Sequence, residues 1–256
     1  MGKDEHAMMV DPDTPPPDDA GPGPSPGARR TLLVVAADAE RQAVQEGFGR
    51  PGGDLAAWTP QPLAGCADLL ISGIGKANAA AATATVLAGG GYGRVLNLGI
   101  AGSLPIADPL PIGASIAATR SIYADEGIAL PDGSFVGCAA MGFPLGPFGD
   151  WGVSADPALL DLAGPLVDVT APIATVSTCS GTDAIALEVV RRTWAVAETM
   201  EGAAVGHVCA RLGVPYLELR IVSNTTGDRD GQRWDFSLAV ERLRDLASRL
   251  AAALDA

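Results

Sequence analysis

Four apolar runs in this 256-residue chain end in turns of glycine and small polar residues: SGIGK (72–76), LGIAGS (98–103), STCSGTD (177–183) and VSNTTGD (222–228). Two of these turns feed directly into helical patterns, KANAAAATATVLAG after the first and residues 183–192 after the third. A buried strand that turns on small residues into a helix is the repeating unit of an α/β fold, because the helix carries the chain back across the sheet. The alternation recurs along the chain. TLLVVAA and a helix over 38–48 open it, and DLLISG, RVLNLGIAG, GASIAATRSIYAD, APIATVSTCSG and VPYLELRIVS read as further strands. AETMEGAAVGHVCARLG carries a helix ended by Gly213. Residues 234–254 place Phe236, Val240, Leu243, Leu246, Ala247, Leu250 and Leu254 at spacings of three and four, which predicts a closing amphipathic helix. The order of elements predicts one α/β domain over residues 29–256 with a largely parallel sheet. Its ligand site should lie at the C-terminal ends of the strands.

Residues 1–28 are rich in proline, aspartate and glycine and poor in branched apolar side chains, so they are expected to form a flexible acidic tail. GCAAMGFPLGPFGDWGV reads as a long loop inserted for function. A formal charge of −13 disfavours nucleic acid and anionic membranes as partners. Cys66, Cys138, Cys179 and Cys209 are widely spaced, which signals neither a disulfide framework nor a zinc knuckle and fits a reducing cytoplasm. No apolar stretch reaches 18 residues and the start of the chain has no signal-peptide core, so a cytoplasmic protein without a membrane span is expected.

The glycine turns either bring backbone N–H groups close to a ligand or serve as tight connections. GIGKAN is a poor dinucleotide fingerprint, with Asn78 at the third glycine position, and there is no phosphate-loop G-x-x-x-x-G-K-[ST] and no G-x-S-x-G elbow. The two histidines are His6 and His207, and His207 falls in mid-helix, where a core or surface role is expected. What remains is a carboxylate and amide set: Glu40, Glu201 and Asn224. An acid near a helix start also satisfies the helix dipole, and composition alone does not separate the two readings.

Taken together, AADAERQAV, SGIGKANAA, NLGIAGSL and AETMEGAAVGHVCARLGVPYLELRIVSNTTG resemble the nucleoside phosphorylase and nucleosidase superfamily over about residues 31–254. The match lies in the nucleosidase branch, and the ETMEGAA…RIVSNTTGDRD version is most similar to the futalosine hydrolases. The resemblance implies a three-layer α/β/α fold around a mixed, largely parallel sheet. It also implies a homo-oligomer, dimer or higher, with no cofactor and no metal, that cleaves the N-glycosidic bond of a purine nucleoside with water. Residue by residue, Glu201 resembles the acid that accepts from the ribose hydroxyls, with Met200 against the sugar, and Glu40 the acid that positions and deprotonates the water. Arg220 matches an arginine near that water, Asn224 the residue facing purine N7, and Ser223 a support for the loop. Ser180, Gly181, Thr182 and Asp183 resemble the segment lining the base. Ile100, Ala101 and Gly102 join the substrate-binding set.

Two departures from the family pattern carry information. Adenine nucleosidases place an aspartate where this chain has Asn224, and an amide cannot protonate N7 but can donate to N7 and to a 6-oxo oxygen. That favours a hypoxanthine nucleoside such as futalosine over methylthioadenosine or S-adenosylhomocysteine, unless Asp228 or Asp230 supplies a proton to the base. Ile100 stands where related enzymes usually carry a hydroxyl residue contacting phosphate or the nucleophilic water. It weakens the phosphorylase reading, although Lys76, Arg120 and Arg220 remain as sources of positive charge. An aromatic pocket for the 5′ substituent is expected from Phe143, Phe148 and Trp151, which could equally cover the core. The competing readings are a methylthioadenosine/S-adenosylhomocysteine nucleosidase, a nucleoside phosphorylase and a non-catalytic nucleoside sensor.

Overall fold

A computed structural model describes residues 30–50, 52–53, 56–131, 134–148 and 152–254. The expected tail and Trp151 lie outside the described residues. β1 (Arg30–Val35) leads into α1 (Asp38–Gly47), and the short β2 (Gln61–Pro62) precedes β3 (Ala67–Ile71), α2 (Lys76–Ala88), β4 (Tyr92–Ser103) and β5 (Ser115–Tyr123). β6 (Gly127–Ala129) and β7 (Phe135–Gly137) form a separate hairpin. β8 (Val153–Ser154), α3 (Pro157–Ala163), β9 (Val169–Thr175), α4 (Asp183–Thr193), β10 (Ala197–Thr199), α5 (Gly202–Leu212), β11 (Tyr216–Thr225) and α6 (Phe236–Leu254) complete the order. The Gly/Pro-rich loop begins inside this hairpin and ends on β8, so part of it is strand. AETMEGAA splits into a three-residue strand and a helix starting at Gly202.

Among the described residues, nine strands form one mixed sheet in the order β10-β9-β5-β11-β4-β1-β3-β2, with β8 added beside β5. β3, β1, β4 and β11 run parallel to one another, so their C-terminal ends come together at one edge of the fold. β5 lies antiparallel to β11, and β10 pairs antiparallel with β4 at Ala197–Ser103 and Glu198–Gly102. That last pairing brings the end of β10 beside the end of β4, which makes a pocket between them possible.

Successive residues of β1 point to opposite faces, as strand geometry requires. Leu33 and Val35 pack with Leu96, Leu98, Leu217 and Leu219 against Val44 of α1 and Leu243, Leu246 and Leu250 of α6. Leu32 and Val34 pack with Val95 against Ala79, Ala82 and Val86 of α2 and Ala204, Val205 and Cys209 of α5. The sheet is thus buried on both sides, which explains its near-continuous apolar runs. α1 and α6 approach closely because Gly47 has no side chain: a Cβ there would stand 2.6 Å from Ala247 Cβ. No described helix is long and apolar enough to cross a membrane.

Candidate active site

A cavity of about 320 Å³ opens at the C-terminal ends of β1, β4, β10 and β11. Its walls are Ala36, Ala37 and Glu40 after β1, Ile74 before α2, Ile100, Ala101 and Gly102 at the end of β4, and Cys179 after β9. Glu198, Thr199, Met200 and Glu201 come from β10 and its exit, Ser223 and Asn224 from β11, and Trp234 from the approach to α6. Among the described residues no lysine or arginine lines it.

One end of the cavity is acidic. Glu40 is the third residue of α1, and its Oε2 accepts from the backbone N–H groups of Ala36 and Ala37, at 2.9 and 3.0 Å, so the carboxylate closes the turn before its own helix. Its Oε1 reaches across to accept from Ile100 N at 3.0 Å, fastening that turn to β4. Glu201 sits at the N-cap of α5 but does not cap it. Thr175 Oγ1 accepts from Ala203 N instead, at 2.8 Å, which leaves the Glu201 carboxylate free for the cavity. Glu201 Oε1 accepts from Gly75 N at 3.0 Å, across a turn in which Gly75 holds φ +91°, a conformation open to glycine and strained for other residues.

Behind the two acids lies Arg220, fully buried and outside the cavity lining. Its Nε donates to Glu218 Oε1 at 2.9 Å and its Nη2 to Asn97 Oδ1 at 2.6 Å, and Nη2 stands 3.5 Å from Glu201 Oε2. Gly99 admits this arrangement, because a Cβ there would stand 2.5 Å from Glu40 Oε1 and closer still to Arg220 Nη1. One guanidinium thus serves several carboxylates. Burial raises the Glu201 pKa, the Arg220 charge and the Gly75 N–H lower it, and the neighbouring Glu40 and Glu218 raise it again; the net direction is upward. Arg220 itself stays firmly cationic, because the surrounding carboxylates outweigh its own burial.

The other end of the cavity is built on a register shift. β11 runs in step with β4 to Val222–Ala101 and then skips a residue, so that Asn224, not Ser223, pairs with Gly102. This bulge re-aims the side chains at the strand end. Ser223 Oγ lies 2.8 Å from Asn224 Oδ1, and Asn224 Nδ2 donates to Thr225 O at 3.0 Å. A flipped amide would set its oxygen against that carbonyl, so the NH₂ orientation is determined by the backbone. Of its two hydrogens, one is used and one is left for a ligand. Beside it, Glu198 takes the N–H and hydroxyl of Ser180 at 2.7 and 2.6 Å.

The remaining expected residues are placed less centrally. Ser180 is buried behind the wall through Glu198, Thr182 Oγ1 caps α4 by accepting from Ile185 N, and Asp183 and Asp228 exchange backbone-to-carboxylate hydrogen bonds with each other. None of these, nor Gly181 or Asp230, is among the lining residues. Phe143 is exposed, and Phe148 packs edge-on at 5.0 Å against His207, away from the cavity. Lys76 is taken up by Asp125 and Glu126. Glu198, Glu218 and Trp234 escaped the reading of the sequence, although Glu218 and Arg220 are two apart in a strand and therefore share a face. Among the described residues no group of three or more histidine, cysteine, aspartate or glutamate side chains is placed to hold a metal ion.

Residues 65–256 match the family model of the phosphorylase superfamily. The chain is 38% identical over 239 residues to a futalosine hydrolase of Acidothermus cellulolyticus, covering 88% of this chain and 91% of the relative. It is 36% identical to a futalosine hydrolase of Streptomyces coelicolor, covering 88% of this chain and 96% of that one. Among solved structures, a native futalosine hydrolase of Helicobacter pylori superposes with a TM-score of 0.68 at 23% identity, covering 89% of this chain and 97% of the other. A 5′-methylthioadenosine/S-adenosylhomocysteine nucleosidase of the same organism gives a TM-score of 0.69 at 24% identity, covering 90% and 99%.

Proposed function

This chain belongs to the phosphorylase superfamily and, within it, to the futalosine hydrolase family, and from that premise we infer that it hydrolyses futalosine to hypoxanthine and dehypoxanthine futalosine in menaquinone biosynthesis. The observation that carries the reading is the meeting of Glu40, Glu201 and Asn224 in one cavity that no cationic side chain among the described residues lines. Glycosidic cleavage builds positive charge on the sugar and negative charge on the departing base, so the site must be anionic at one end and donating at the other. Glu201 takes the ribose hydroxyls beside Met200, Glu40 takes a proton from the attacking water, and the free N–H of Asn224 meets the base. Arg220 acts from behind, holding Glu201. A phosphate dianion would need several donors; Ile100 offers no side-chain donor, and Lys76 and Arg220 are committed to carboxylates, which supports water as the nucleophile.

The test is a chromatographic base-release assay on futalosine, inosine, methylthioadenosine and adenosine, with and without phosphate. Hypoxanthine released from futalosine in phosphate-free buffer is the expected result; adenine release, or strict phosphate dependence, would sink the reading. Asn224→Asp is expected to shift the ratio of adenine to hypoxanthine release upward by about tenfold or more. A carboxyl at this position can be protonated and donate to N7 or, ionised, accept from a 6-amino group, which the amide cannot do in the same orientation, and an unchanged ratio in the same assay would count against Asn224 as the base-facing group.

The raised Glu201 pKa gives a pH prediction. As pH falls, Glu201 protonates above the ordinary carboxylate range of about 4.3, and the site loses charge early. The folded state holds that proton more tightly than the unfolded chain, so through the same window this group adds stability as pH drops and withdraws it as pH rises through the folded pKa. The pKa of Glu198 is also raised, by burial, and acts with the same sign. Activity should therefore fall on acidification before the melting temperature does. A parallel decline of both would overturn the assignment.

We also take residues 29–256 as one nucleosidase domain and the active species as a cytoplasmic homo-oligomer. A three-layer arrangement is supported by α1 and α6 packing on one set of β1 side chains and α2 and α5 on the other.

A further inference from the structure

Glu198 is a buried carboxylate with no part in the reaction as described. It lines the cavity, and its two oxygens are held by Ser180 alone. No lysine or arginine among the described residues pairs with it, whereas Glu201 and Glu218 share Arg220. Burying a carboxylate without a cation is costly, and two hydrogen bonds leave each oxygen with a lone pair unused. The place of Glu198 is as telling as its isolation. It pairs with Gly102 from one side of β4 while Asn224 pairs with the same glycine from the other. A Cβ at Gly102 would stand 2.8 Å from Thr226 Cγ2, 3.1 Å from Asn224 Nδ2 and 3.6 Å from Glu198 Cγ, so an acceptor-only group and a single free donor both approach one glycine.

That pair of groups matches one kind of purine edge. A 6-oxopurine offers acceptors at N7 and O6 and a donor at N1–H; a 6-aminopurine offers a donor at its amine and an acceptor at N1. With its one free hydrogen on N7 or O6, Asn224 leaves N1–H to a separate acceptor, and Glu198 has a lone pair to spare on each oxygen. Resting on the function proposed above, we propose that Glu198 accepts the N1–H of the bound 6-oxopurine and, together with Asn224, sets the choice of base. An adenine would turn its N1 lone pair toward this carboxylate, and the mismatch would exclude it.

The test is Glu198→Gln, assayed for base release from futalosine, inosine and adenosine, with a thermal melt to establish folding. In the variant, the amide oxygen can keep the Ser180 N–H and the NH₂ can turn one hydrogen to Ser180 Oγ and the other to the cavity. That hydrogen opposes N1–H and suits the N1 of adenine. Hypoxanthine release is expected to fall in kcat/KM by about tenfold to a hundredfold relative to adenine release. An unchanged ratio in a folded variant overturns the proposal. Inhibition of the wild-type enzyme by free bases gives a second measurement that needs no variant: hypoxanthine should bind at least about tenfold more tightly than 6-methoxypurine, which keeps an oxygen at C6 and lacks N1–H. Equal inhibition by the two would overturn the proposal while leaving hydrolysis of futalosine intact. A wild-type enzyme that released no hypoxanthine would remove both readings together.

Discussion

Glu201→Gln is expected to lower base release by about a thousandfold while the folded state persists. The substitution keeps the shape of the side chain, and its oxygen can go on accepting from Gly75 N. What disappears is negative charge beside a sugar that turns cationic in the transition state, in a cavity where little water is available to replace it. Stability should change little, because the native carboxylate is held in its charged form against its own burial and the guanidinium that favours it is shared with Glu218. The measurement is single-turnover hypoxanthine release at saturating futalosine, with a thermal melt alongside. Turnover within tenfold of wild type would show that Glu201 is not the group that meets the ribose.

Arg220→Met is expected to act on the fold instead, costing about 3–5 kcal/mol. Methionine fills a similar apolar volume, but it leaves Glu218, which is 0% exposed, and Glu201, 4% exposed, without a cation at the center of the sheet. Asn97 Oδ1 would lose its donor as well. Lysine would not restore the arrangement, because the guanidinium uses a fork, with Nε on Glu218 and Nη2 on Asn97, that a single ammonium cannot reproduce. Urea unfolding of the variant against wild type measures the cost. A loss below about 1 kcal/mol would overturn the picture of one guanidinium shared between the two carboxylates.

The parts of this molecule that announce themselves in the sequence are those with a long physical signature. β1, β4 and β11 are apolar runs because both faces of the sheet are covered, and α6 repeats Leu243, Leu246 and Leu250 at the helical period because one of its faces packs on α1. β10 carries no such signature: three residues long, it is a strand only because β9 and β4 lie on either side of it. α3 and the β6–β7 hairpin are likewise too short to leave a periodic pattern in the sequence. In the cavity, Glu40, Glu201 and Asn224 are legible because each stands where a helix starts or a strand ends. Glu218 stayed hidden inside a run read as simply apolar, and Glu198 stayed hidden because its meaning depends on what lies across β4. The register shift at Ser223 leaves no trace in composition, since one extra residue changes neither the pattern before it nor the turn after it.

That shift separates two ways in which a pocket of this kind can change over generations. Which atoms the base meets is written in the identity of residue 224, and the codons for asparagine and aspartate differ by a single nucleotide, so a new purine preference is one small mutational step away. Where those atoms point is written in the number of residues between Val222 and Asn224. Loss of Ser223 would mend the ladder between β4 and β11 and remove the bulge that aims the amide, while Asn224 kept its place opposite Gly102. Base preference is thus open to substitution, while the aim of the group that reads the base is protected by the rarity of deletions within a buried strand.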